Sequence, residues 1–186
     1  MLNKTRFVVV DLEMANNDLA SICQLGLIVF DGFEPIEKWE TMVDPQADFG
    51  YYQTKVHGFT ARDVQAAPKI EALKDRLFNL IENQVVCSFG MNDFHALNKN
   101  FELPVCTWMD VSKVATRIWT ETPKNMRNLK SLCATHDIPL SNHHNALGDA
   151  LATGMLLNKG MQFGGFTIPD LLKFSMKNIG NQNNLL

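Results

Sequence analysis

Phe7-Val8-Val9-Val10-Asp11-Leu12-Glu13 decides the fold class of this chain. The run is short, apolar and β-branched, which predicts a strand over Phe7–Glu13 that lies centrally in a sheet. Two acids close it. Side chains at i and i+2 share one face of a strand, with Cα atoms roughly 6–7 Å apart. Carboxylates held that close repel each other unless a cation sits between them, and hard divalent cations take oxygen ligands of this kind. The pair alone leaves a second reading open, in which the strand ends at Val10 and both acids are solvated.

Outward from this strand, Ile22–Phe30 reads as a second strand, followed by Asp31-Gly32 as turn chemistry. Ile36–Val43 alternates and reads as a third, ending at Asp44-Pro45. The short connections predict an antiparallel meander. Then the period changes. Thr60 with Asp63 resembles a capping-box helix start, and Ile70, Leu73, Leu77, Leu80 and Ile81 follow at helical spacing. Strands are predicted over Val85–Phe89 and Val105–Trp108, and helices over Asp93–Lys99, Val111–Trp119, Asn128–His136 and Ala146–Lys159. Gly160 stands where a C-terminal glycine belongs. Three strands followed by helix–strand alternation make an α/β protein, a mixed sheet with helices on its faces. Residues 1–165 are read as the main domain. Residues 166–186 add a helix over Phe166–Lys177 and a polar tail from Gly180 that is expected to fray.

The chain has 186 residues, 46% apolar and 20% charged, which suits one globular domain rather than a disordered or fibrous chain. Its 17 Lys and Arg against 20 Asp and Glu give a net charge of −3, which argues against a polycation that coats nucleic acid. Cys23, Cys87, Cys106 and Cys133 form no C-x-x-C pair, so neither a zinc site nor a disulfide framework is expected. No segment reaches the ~18 apolar residues of a membrane span. The apolar run before Asp11 is too short for a signal-peptide core. The expectation is a soluble cytoplasmic protein without a membrane partner.

Two further features gain weight from company. In His144-Asn145-Ala146-Leu147-Gly148-Asp149-Ala150, Asn145 is a good N-cap. His144 would then sit on the flanking loop and lean over a site that Asp149 reaches from the first turn. Taken alone, the same residues read as a loop histidine and a favourable charge near a helix N-terminus. Asp93, just after an apolar strand, taken alone reads as an N-cap.

Together these pieces resemble the DEDDh family of 3′–5′ exonucleases. Val10-Asp11-Leu12-Glu13 with Ile22-Cys23-Gln24-Leu25-Gly26 is similar to the first motif, and His57-Gly58-Phe59-Thr60 to the family's H-G-I-T turn. Asp93 falls where the middle motif places its acid. His144 and Asp149 match the last motif, a histidine five residues before an aspartate. The resemblance spans roughly residues 6 to 159. It implies a ribonuclease H-like mixed five-stranded sheet flanked by helices. It also implies that Asp11, Glu13, Asp93 and Asp149 hold two Mg²⁺ or Mn²⁺ ions, with His144 as general base on the attacking water. The implied substrate is a 3′ end of single-stranded DNA or RNA, DNA favoured, cut to 5′-nucleoside monophosphates. Phe59 and Met14 become candidates to pack on the terminal base, with ordinary core packing as the alternative for each. The sequence departs from the family at Met14, where a small hydroxyl residue is usual. It departs again at Ser88-Phe89-Gly90-Met91-Asn92-Asp93, which lacks the usual His-Asn pair. Two other readings stand beside this one. One is a proofreading or RNA-maturation subunit that docks a partner through Phe166–Lys177. The other is an inactive nucleic-acid-binding module on the same fold, against which the presence of all the expected catalytic residue types argues.

Overall fold

The computed structural model describes residues 6–176. The expected meander is β1 (Arg6–Met14), β2 (Ile22–Asp31) and β3 (Glu34–Met42). β4 (Val85–Ser88) and β5 (Thr107–Asp110) add to it in parallel on the other side of β1. The sheet order is β3-β2-β1-β4-β5, so the quoted strand is indeed central. Its alternation divides the core. Phe7 and Val9 face one layer, with α4 (Val111–Ile118), α5 (Leu129–Thr135), α6 (Ala146–Gly164) and α7 (Ile168–Met176). Val8, Val10 and Leu12 face the other, with α2 (Lys74–Ile81) and α3 (Asn92–Asn100). Among the described residues no helix is long and apolar enough to cross a membrane. All four cysteines are free thiols.

Several boundaries differ from expectation for identifiable reasons. Asp63 accepts from both the amide and the hydroxyl of Thr60, each at 2.7 Å, but the capped segment is a series of turns. Pro68 disfavours helix in the residue before it, and the helix begins only beyond, as a 3-10 turn over Ile70–Leu73 leading into α2. α1 (Tyr51–His57) escapes periodicity because none of its residues is buried. β5 starts later than Val105, which is exposed. α6 runs on past Gly160, which is packed where a Cβ would come 2.7 Å from Ile118 Cδ1; its left-handed C-cap is Gly165, at φ 65°. α7 supplies the expected C-terminal helix, and it belongs to the main core. Ile168 and Leu171 are buried, and Ser175 Oγ accepts the Asp110 amide at 2.9 Å. The predicted polar tail lies outside the described residues.

Candidate active site

β1 outlasts its parallel neighbour. The β1–β4 register runs through Val8 and Val9 only, so the end of β1 is open on that side. The Leu12 amide, beyond that pairing, donates instead to Asp93 Oδ1 at 2.9 Å. Asp93 stands in the first turn of α3 and is buried. A carboxylate thus continues the hydrogen bonding where the strand stops, which fixes the third acid against the first two.

The fourth acid arrives through a close approach of backbone. Gly26 of β2 pairs with Asp11, and cross-strand partners share a face. A Cβ on Gly26 would collide with the Ala146 carbonyl and the Leu147 amide. Only glycine lets the first turn of α6 lie there. Gln24 Oε1 accepts the Ala146 amide at 2.9 Å, and Asn145 Oδ1 caps the helix on the Gly148 amide. Glu40 of β3 joins both, accepting from Gln24 at 2.9 Å and from Asn145 at 2.7 Å. This clamp carries Asp149, in the first turn of α6, over Asp11.

The result is a cavity of about 330 Å³ whose lining includes Asp11, Glu13, Met14, Asp93, His144 and Asp149. Carboxylate oxygens of Asp11, Glu13 and Asp149 lie within 4.8 Å of one another. Burial first, then the neighbouring Asp149 and Asp93, push Glu13 up to about 8. Burial also raises Asp93 to about 7, against the Leu12 hydrogen bond that lowers it. Asp11 is held well above the ordinary carboxylate range by desolvation, then by Asp93, Asp149 and Glu13. A cluster of oxygen donors that resists its own ionisation is suited to hard divalent cations. The donor set contains no thiolate.

His144 has φ 70°, a conformation costly for a side-chain-bearing residue, and its own amide donates to Asp149 Oδ2 at 3.1 Å. The imidazole that meets Asp149 is that of His143, whose Nδ1 lies 2.9 and 3.1 Å from the two carboxylate oxygens. The two histidine rings stack at 3.8 Å. Burial and the adjacent His143 lower the pKa of His144. Sequence reasoning gave His143 no role, and the doubled histidine was the only available signal.

Met14 lines the cavity and also a neighbouring cleft of about 290 Å³ that includes Glu13, Tyr52, Val56 and His57. Phe59 does not line either. It stacks on His57 at 5.0 Å and packs toward Ala15, Cys23 and Val64. His57 Nδ1 accepts the Phe59 amide at 2.9 Å, which leaves its Nε2–H to donate to the Met14 carbonyl at 3.2 Å. The H-G-F-T turn therefore braces the end of β1, with Phe59 behind the bracing ring.

A family model described as Exonuclease matches residues 8–157. The 3′–5′ exonuclease DinG of Bacillus subtilis is 24% identical over 200 residues, covering all of this chain and 21% of that protein. A PolC-type DNA polymerase III of Clostridium perfringens is 27% identical over 164 residues, covering 81% of this chain and 11% of that one. The chain thus spans about a fifth or less of these relatives. Exonuclease X, solved in complex with 5′ overhanging duplex DNA, superposes with a TM-score of 0.75 at 18% identity, covering 94% of this chain and 99% of its own. That likeness carries the ribonuclease H-like fold.

Proposed function

The chain belongs to the exonuclease family, and from that premise we propose that it removes 5′-nucleoside monophosphates from the 3′ ends of single-stranded DNA, with RNA as a second substrate. The observation that carries this reading is the convergence of Asp11, Glu13, Asp93 and Asp149 in one cavity. Two Mg²⁺ or Mn²⁺ ions held there would relieve charge on the phosphate and acidify the attacking water.

The chain's own residues do the rest. His144 takes the proton from the attacking water as general base, and its lowered pKa keeps the ring unprotonated near neutral pH. His143 holds the Asp149 carboxylate by its Nδ1 and stacks on His144, fixing the direction of that ring. Met14 presents an apolar wall to the terminal base, and Phe59 acts from behind by keeping His57 in place. A cavity of about 330 Å³ is near the lower limit of roughly 300–1,000 Å³ for small-molecule sites, which fits one unpaired terminal nucleotide. DNA is favoured because both the polymerase relative and the Exonuclease X complex concern DNA. Docking of a protein partner through residues 166–177 is not part of this reading, since Ile168 and Leu171 of α7 are already spent on the core.

The test is digestion of matched 3′- and 5′-labelled DNA and RNA oligonucleotides, with divalent metal and with EDTA. Mononucleotides should leave the 3′ end only when metal is present. Release from the 5′ end, or undiminished release in chelator, would overturn the reading.

A further inference from the structure

A second pocket lies outside the carboxylate site. It measures about 300 Å³ and is lined by Ser112, Lys113, Thr116, Arg117 and Arg127. We propose that it binds a backbone phosphate of the nucleic-acid strand whose 3′ end occupies the catalytic cavity. The assignment of that strand rests on the exonuclease reading.

The pocket is built rather than incidental. α4 carries Lys113, Thr116 and Arg117 on one face at i, i+3 and i+4, while Val111, Val114 and Ala115 bury the other. Arg127 reaches in from the following loop, its guanidinium fixed by donation from Nε to the Thr122 carbonyl at 2.8 Å and from Nη2 to the Thr120 carbonyl at 3.3 Å. Arg117 is the informative residue. Its Nη1 is buried and has no hydrogen-bond partner among the described residues, and it joins none of the ion pairs found there. Nη1 is closed to solvent, so an oxyanion in the pocket would be met by the rest of a guanidinium that joins no ion pair among the described residues.

The charge balance selects an anion. The carboxylate paired with this pocket among the described residues is Asp110, whose Oδ2 lies 3.6 Å from Lys113 Nζ while its Oδ1 caps α4. Three cations and no carboxylate line the pocket itself, in a chain whose net charge is −3. Both hydroxyls already donate, Ser112 to Asp110 Oδ1 and Thr116 to the Ser112 carbonyl. The donors left for a ligand are guanidinium and ammonium groups. They suit an ionised phosphodiester, which offers acceptors and no protons.

Position selects the strand. Val9 pairs with Cys87, and Cys87 pairs with Met109. The start of α4 is therefore level with Asp11, two strands across. At ~4.8 Å per strand Val111 lies about 10 Å from Asp11, along the carboxyl ends of the parallel strands where α/β sheets bind ligands, and Lys113 to Arg117 lie a further ~3–9 Å along the helix. Arg127 adjoins Asn128 and Leu129, which line the catalytic cavity. A strand leaving that cavity toward β5 passes this pocket a few nucleotides from its end.

The test compares Arg117→Gln with wild type and with Lys38→Gln, an exposed position on β3 at the opposite sheet edge. Binding of a short fluorescent oligodeoxynucleotide is followed by anisotropy across salt concentrations in EDTA, where no turnover is expected. Loss of one phosphate contact should weaken binding and reduce the slope of log K against log salt by about 0.7. Arg117→Lys, which keeps the charge, should retain most of that slope, and Lys38→Gln should retain all of it. In metal, kcat/KM for the oligonucleotide should fall several-fold in Arg117→Gln. Hydrolysis of the p-nitrophenyl ester of thymidine 5′-monophosphate, which fills the catalytic cavity alone, should be unchanged. An unaltered salt slope in Arg117→Gln, an equal loss in Lys38→Gln, or an equal fall on the ester would overturn the proposal. A reduced slope in Arg117→Gln, together with a wild type that hydrolyses neither substrate, would support the phosphate site and remove the exonuclease reading instead.

Discussion

Replacing Asp11 by Asn removes one charge from the carboxylate cluster and leaves the side-chain shape almost unchanged. The metal-free protein should become more stable. Asp11 lies within 4.8 Å of the Glu13 and Asp149 oxygens. At an effective dielectric of about 20, a fully ionised pair at that distance repels by about 3.5 kcal/mol. The cluster avoids part of this by retaining protons, with Glu13 raised to about 8 and Asp93 to about 7. The net gain expected for Asp11→Asn is about 1–3 kcal/mol, and each 1 kcal/mol moves Tm by about 2–4 °C in a chain of this size.

The pH dependence follows from the direction of the shifts. A carboxyl whose pKa is raised on folding binds its proton more tightly in the folded chain. Between about pH 4 and about pH 8 the folded state therefore holds more protons than the unfolded one, and wild-type stability falls as pH rises through that window. The advantage of Asp11→Asn should be greatest near pH 8 and vanish near pH 4. Divalent metal should reverse the order, raising the wild-type Tm and barely moving the mutant's. Thermal melts in EDTA and in Mg²⁺ or Mn²⁺ across that range provide the measurement. A mutant less stable than wild type in EDTA near pH 8 would refute the electrostatic account. Equal stabilisation of both proteins by metal would show that Asp11 is not a ligand.

Five further outcomes are expected. EDTA should abolish nuclease activity and added Mg²⁺ or Mn²⁺ restore it, as followed by release of labelled mononucleotide. His144→Ala should lower kcat by about 10²–10⁴-fold at saturating metal. His143→Ala should mainly raise the metal concentration required, so the idea fails if the two mutants exchange these phenotypes in a metal titration. Gly26→Ala should destabilise by about 1–3 kcal/mol or more through overpacking, and it should depress activity in the protein that remains folded, read from Tm and specific activity together. Truncation after Gly165 should lower Tm sharply, because Ile168 and Leu171 each lose about 1.5–3 kcal/mol of burial; an unchanged melt would show that α7 is dispensable to the core.

The legible parts of this chain are those with a local signature. β1 announces itself because both its faces are apolar, and the motif acids because charge at the end of such a strand is abnormal. α1 sends no signal, since it buries nothing. The contact of His143 with Asp149 depends on how the loop before α6 turns, with His144 in a left-handed conformation that no local pattern specified. Lys113, Arg117 and Arg127 look like ordinary surface charges until α4 and the following loop are folded together.

The clamp behind the acids was legible only as a motif and not as a mechanism. Gln24 and Ala146 meet across 122 residues, and Gly26 matters because a helix that begins at Ala146 leaves no room for a side chain. Yet the carboxylates explain why such a clamp is needed. Four acids in one cavity repel one another to the extent that they ionise, and that repulsion acts between the sheet and the helices that carry Asp93 and Asp149. The resistance comes from Gln24, Gly26, Glu40 and Asn145, which hold α6 to the sheet. Conserving charge at Asp11 and Asp149 while loosening that clamp should therefore widen the site before it unfolds the chain, and activity should decline ahead of stability in Gln24→Ala.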